Sequence, residues 1–254
     1  MKTRAITLTM MLTAWLCASA QKSLGDYIEF DGIPSFIFFL DESGEHGLAM
    51  MIHSDVNKST LKHMEKALSN LTEEQVMAVR KSMNTPSTNT MTLKKDKDMR
   101  PLYEELKAVL SDDGKANTSR ICHFCEEKGL SLEEYFPAVW IAREKGEGWF
   151  IPGDNELKLF ASFFCGGLGK EYALGIQKWG KQPSTLSENL MVRSTLSLLS
   201  INGRNAIYSS SLHSPKDGFR KLAVKQVSMP APKAWFEIFD RVPDKTCVCY
   251  VHEF

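Results

Sequence analysis

Cysteine, serine, histidine and carboxylate side chains are the groups with which this chain could do chemistry, and their spacing decides which chemistry is open to it. Cys122-His123-Phe124-Cys125 is a C-x-x-C pair. A thioredoxin-type pair needs a strand leading into a helix whose N-terminus lowers the thiol pKa. Cys122 and Cys125 instead fall a turn inside a helix expected to begin at Thr118 or Ser119, which predicts a buried-face pair or an incidental disulfide. A structural zinc site wants four ligands. Cys247 and Cys249 lie far along the chain and no matching histidine pair accompanies them, so no metal is expected. Neither a Gly-x-Ser-x-Gly elbow nor a zincin helix is present. His46, in a turn, and His213, after a strand, read as surface residues rather than catalysts. These readings predict a non-enzymatic chain with no cofactor, and leave extracytoplasmic thiol redox through Cys122 and Cys125 as an alternative. Asn57-Lys58-Ser59, Asn70-Leu71-Thr72 and Asn117-Thr118-Ser119 are glycosylation sequons, meaningful only in a eukaryotic secretory pathway.

The N-terminus predicts export. Lys2 and Arg4 give a positive start, residues 5–16 are apolar apart from three threonines, and Ala18-Ser19-Ala20 offers the small residues a signal peptidase accepts. An apolar core of about a dozen residues is short of the roughly 20 that span a bilayer. Residues 1–20 therefore read as a cleaved signal peptide and 21–254 as one mature domain, secreted or at the cell surface or in the periplasm. Trp15-Leu16 ahead of Cys17 are too bulky for a lipid-attachment box. The apolar runs at 36–40 and 157–165 are too short to span a membrane. The chain has 31 basic and 31 acidic residues; losing Lys2 and Arg4 leaves 29 against 31, a net charge near −2. A nucleic-acid partner would need a clustered basic excess, which is absent. With 43% hydrophobic residues a core is available without obligatory disulfides. Loss of Cys17 leaves five of six cysteines, so at least one is free or intermolecular if the others pair.

The elements that must position these groups read as strands at both ends with helices between, an α+β class. Ile33-Pro34-Ser35-Phe36-Ile37-Phe38-Phe39-Leu40 and Leu48-Ala49-Met50-Met51-Ile52 predict a hairpin across the 41–47 turn. Residues 57–110 read as a helical insertion on the domain surface, with helices at 60–68, 73–83 and 100–110, the last apolar at Leu102, Leu106 and Val109-Leu110. A turn at 112–118 is expected to feed a helix over 119–128, and 136–143 is helical in pattern. Gly148-Trp149-Phe150-Ile151-Pro152 reads as a tight turn, an extended piece and a stop. Asp154 then caps a helix over 155–164 with Leu157, Phe160, Ala161 and Phe164 on one face. The best late strands are 206–211, 219–227 and 247–251.

Several stretches carry a resemblance. Gly148-Trp149-Phe150-Ile151-Pro152-Gly153-Asp154-Asn155-Glu156-Leu157 resembles a "GWYLPsxgEL" signature, Tyr208-Ser209-Ser210-Ser211 a "YWSSS" strand, and Cys249-Tyr250-Val251-His252 a closing "YVRPV" strand. Upstream, the 36–48 hairpin resembles a "D-x-SG-x-HGL" turn, and Asp113 to Thr118 a "DGxxNT" segment. Together, in this order, they resemble the C-type-lectin-like domains of secreted Bacteroidetes proteins, including the Fibrobacter succinogenes major paralogous domain. The chain departs from that pattern at Ile207 before Tyr208, at the missing tryptophan after it, and at His252 where arginine is usual. The resemblance implies a C-type-lectin-like fold with a helical insertion. Trp149, Pro152, Asp154, Glu156, Leu157, Tyr208, Ser209 and Ser210 are expected to build that fold, the small serine hydroxyls suiting a strand crossed closely by another backbone. Calcium-dependent sugar binding of the C-type-lectin kind is not expected, since Gln182-Pro183-Ser184 lacks a carboxylate or amide at its third position. The implied function is a binding or adhesion module whose ligand face lies at about 166–206. There Trp179, Arg193 and Arg204 can stack and donate charge-assisted hydrogen bonds to an unknown protein or glycan at the cell surface. A structural subunit of a surface assembly is the other reading.

Overall fold

The computed structural model describes residues 22–51, 72–74, 90–164, 206–227, 233–239 and 246–254. The expected signal peptide, the helix at 60–68, nearly all of that at 73–83, and Trp179, Arg193 and Arg204 lie outside the described residues. The fold is α+β. Strands β1 (Tyr27–Phe30), β2 (Ile33–Leu40), β3 (Gly47–Met51), β4 (Trp149–Phe150) and β9 (Val251–Glu253) form one antiparallel sheet in the order β1-β2-β3-β9-β4. A second sheet runs β7-β6-β5-β8, from β5 (Ala206–Tyr208), β6 (Lys221–Val227), β7 (Lys233–Phe239) and β8 (Thr246–Cys247), with β5 and β8 parallel.

Local chemistry explains the hairpins. Phe30 pairs with Ile33 across Asp31-Gly32, which take φ 51° and 77°. Positive φ at both central residues is the type I′ geometry that suits the strand twist, and Asp-Gly is among its preferred sequences. Between β2 and β3, Asp41 accepts hydrogen bonds from Ser43 Oγ at 2.6 Å and Gly44 N–H at 2.9 Å.

Among the described residues, five helices lie between the strands: α1 (Asp96–Lys107), α2 (Gly114–Lys128), α3 (Leu132–Tyr135), α4 (Pro137–Glu144) and α5 (Asp154–Phe164). Helix α1 starts a turn before the expected 100 and carries Pro101 inside. Its inner face is Met99, Tyr103 and Leu106, each at most 1% exposed, whereas Val109 is 47% exposed beyond the helix end. This face belongs to the same core as Ile33, Met51, Ile121, Phe136, Val139, Trp149, Phe219 and Tyr250. The described end of the 57–110 stretch is thus woven into the domain core rather than resting on its surface. Helix α2 absorbs the expected 112–118 turn: Asp113 is its N-cap, accepting from Ala116 N–H at 2.8 Å, and Gly129 closes it at φ 63°. Ser131 caps the short α3, and Pro137 sits in the first turn of α4. Among the described residues no helix is long and apolar enough to cross a membrane.

Candidate functional site

The N-termini of α2 and α5 meet so closely that only glycine fits between them. A Cβ on Gly114 would lie 2.3 Å from Gly153 N and 2.4 Å from Ile151 O, and one on Gly153 would lie 2.4 Å from Asp112 O. Glu156 folds back from the first turn of α5 into this contact. One carboxylate oxygen accepts Gly153 N–H at 2.7 Å and Gly114 N–H at 2.9 Å. A single anion therefore satisfies orphan donors at two positive helix ends. Burial pushes the Glu156 pKa up, and the two N–H bonds work against that rise.

The serines after β5 complete the junction. Ser209 Oγ donates to Asp154 Oδ1 at 2.6 Å, and Ser211 Oγ accepts Asp154 N–H at 3.0 Å. Ser210 N–H donates to Pro152 O at 2.8 Å and its hydroxyl to Ile151 O at 3.2 Å. Asn117, from the second turn's edge of α2, donates to Ser111 O at 2.7 Å and Ser210 O at 3.2 Å. Thr118 Oγ1 accepts Ile151 N–H at 3.0 Å. Ser209, Ser210, Ser211, Asn117 and Asp154 are all 0% exposed. Buried polar groups are costly unless paired, and here each is paired to backbone or side chain.

At the rim of the junction the charges concentrate. Arg220, which precedes β6, donates through Nη1 to Asp154 Oδ2 and lies 3.1 Å from His213 Nε2. His213 Nε2 is also 3.5 Å from Asp112 Oδ1 and 3.9 Å from Asp154 Oδ2, and Lys158 Nζ is 3.8 Å from Asp112 Oδ2. One ligand atom each of Asp112, Asp154 and His213 lie within 4.8 Å of one another, a separation that a metal ion would accept. The Arg220 guanidinium already supplies the positive charge there, so the group reads as an ion-paired cluster. A serine of the Ser–His type is activated by a hydrogen bond to a histidine base. In this cluster Ser209 bonds Asp154 and His213 bonds Arg220, an arrangement that does not activate the hydroxyl.

Trp149 is 5% exposed, edge-on to Phe30 and His252, with its indole N–H buried and unpartnered. His252 stacks on Phe30 at 3.8 Å between ring centroids, and a Cβ on Gly148 would lie 2.6 Å from its Nε2. Burial pushes the His252 pKa down. Leu157 is 0% exposed, Pro152 is buried, and Tyr208 is half-buried with Lys221 Nζ 5.3 Å from its ring centre. Cys122 and Cys125 lie well inside α2, both as free thiols. Burial pushes both thiols up, Cys125 to about 11. That is opposite to what thiol chemistry requires. The sequon at Asn117 is closed to glycosylation by the burial of its amide.

Arg220 and the double acceptor role of Glu156 were not singled out by sequence, and Asn117 was named only in a sequon and in the "DGxxNT" likeness. Asn117 and Thr118 stood inside a stretch that reads as a turn, and Arg220 is one basic residue ahead of a strand with no periodic mark. No family model, no curated protein and no solved structure matches the chain.

Proposed function

We propose that this chain is an exported, non-enzymatic binding module of C-type-lectin-like architecture, with a protein or glycan partner at the cell surface. The observation that carries the reading is the fate of the reactive-looking residues. Asp154, Glu156, Ser209, Ser210 and Ser211 spend their polar atoms on joining α2, α5 and β5. A framework that consumes its own polar groups leaves recognition to a loop, and functional loops are commonly carried by such rigid scaffolds. The segment 165–205 links α5 to β5 in sequence. We assign ligand contact to that segment through Trp179, Arg193 and Arg204.

The test is a glycan and surface-protein binding screen with residues 21–254, with and without EDTA. The expected result is a specific hit indifferent to EDTA and weakened about tenfold or more by Trp179→Ala, with smaller losses for Arg193→Ala and Arg204→Ala. Absence of any hit moves the weight to a structural subunit of a surface assembly, and a hit abolished by EDTA replaces the metal-independent reading.

A further inference from the structure

His213 Nε2 sits between partners that demand opposite things of it. Arg220 Nη1, 3.1 Å away, can only donate. Asp112 Oδ1 at 3.5 Å and Asp154 Oδ2 at 3.9 Å, as carboxylates, can only accept. A bare Nε2 satisfies the arginine and faces the carboxylates with a lone pair. A protonated Nε2 satisfies a carboxylate and faces the arginine with a hydrogen. No protonation state serves both sides.

We propose that His213 is a proton-operated latch on the Arg220–Asp154 pair. In its neutral form the ring carries its hydrogen on Nδ1, and Nε2 accepts from Arg220, holding the guanidinium over Asp154. On protonation Nε2 releases Arg220 and donates to Asp112, the nearer of the two carboxylates. Protons reach the ring without any opening of the fold, because the His213 side chain is 51% exposed while Asp154 is fully buried. Among the described residues, the charged groups facing His213 are Asp112 ahead of α2, Asp154 at the start of α5 and Arg220 ahead of β6. Lys158, one turn along α5, shares Asp112 at 3.8 Å and competes with the protonated ring for it.

The latch controls a specific piece of backbone. Ser209 N–H donates to Arg220 O at 2.9 Å and Arg220 N–H to Ser211 O at 3.1 Å, so Arg220 fastens the return from β5 to β6 by main chain and side chain together. Loss of the His213 contact, with a like charge now beside the guanidinium, weakens the side-chain fastening while the pair with Asp154 remains. Protonation of His213 is therefore read as looser backbone at Ser209 and Arg220.

Two measurements on the full chain test this. Nitrogen-15 NMR of the imidazoles near pH 8 is expected to find His213 with its hydrogen on Nδ1 and a bare Nε2. A hydrogen on Nε2 at that pH overturns the proposal, and this readout needs no variant. Amide exchange of Ser209 and Arg220, corrected for intrinsic rates, is expected to be about five-fold faster near pH 5 than near pH 8, the weight of one neutral hydrogen bond. His213→Gln is expected to abolish that pH difference. The same difference persisting in His213→Gln, or none in the natural chain, overturns the latch.

Discussion

The interior of this domain is built in two ways. Around Met99, Tyr103, Phe136 and Val139 it is an apolar packing of side chains from α1, α2, α4 and both sheets. Between α2, α5 and the Ser209–Ser211 stretch it is equally buried but held by directional hydrogen bonds, with five fully buried polar residues meeting. Burial alone does not separate the regions. What separates them is tolerance: apolar contacts accept any neighbour of similar volume, whereas a buried donor or acceptor left alone keeps its full desolvation cost. Of the signature-like residues, Pro152, Asp154, Glu156, Ser209 and Ser210 gather in the second region, where a single geometry satisfies them, while Trp149 belongs to the first.

The comparison breaks most visibly at Asp154. Asp154→Asn is expected to lower stability by about 3 kcal/mol, because the charge of Arg220, whose side chain is 14% exposed, loses the buried carboxylate it is paired with. Met99→Leu, equally buried, is expected to cost less than about 1.5 kcal/mol. Urea denaturation of the two variants compares them directly, and equal losses would erase the distinction. Next comes Gly114→Ala, whose Cβ would meet backbone atoms of residues 151–153 at 2.3 to 2.7 Å. A loss of about 2 kcal/mol is expected from thermal melts, against a smaller one for Gly129→Ala, which has nothing within 4 Å and pays only for its φ of 63°.

The smallest effect belongs to the apolar region and sharpens the contrast from the other side. Burial lowers the Lys145 pKa from 10.5 to about 8, and its ammonium lies 4.8 Å from the centre of the Tyr250 ring. Below pH 8 both folded and unfolded chains carry the charge, and the folded chain bears the cost of burying it. Between about 8 and 10.5 the folded chain releases its proton first, so the unfolded chain binds more protons and stability rises with pH. Lys145→Met is expected to stabilise the domain at neutral pH by on the order of 1 kcal/mol after solvent screening and to flatten that rise. Denaturation midpoints across the alkaline range decide it; a less stable variant at neutral pH would mean that the ring contact outweighs desolvation.

How legible these regions were in the sequence follows from the same contrast. The β2–β3 hairpin and α5 stand out because period and turn chemistry agree there, and the strand bounds 33–40 coincide with β2. The first turn of α2 did not, since Asp113, Gly114, Asn117 and Thr118 carry loop propensities that tertiary bonds override. Pro101 suited a helix start near 100, yet burial of Met99 and Tyr103 extends α1 a turn earlier. Strand β7 went unread, although Lys233 to Phe239 is rich in aromatic residues. Within the junction, serines beside another backbone were legible from their size. Arg220 was not, because what gives it a role is Asp154, 66 residues away.

One feature of the first sheet bears on how the chain acquires its shape. Strand β9 lies between β3 and β4, bonding Met50 with Val251 on one side and Trp149 with His252 on the other. During vectorial synthesis the first 150 residues therefore emerge with a gap in the middle of their sheet, and nothing seals it until residues 251–253 arrive. Closure of long loops is slow and unrewarded until the distant contact forms. Completion of the first sheet therefore waits for β9, about a hundred residues beyond β4.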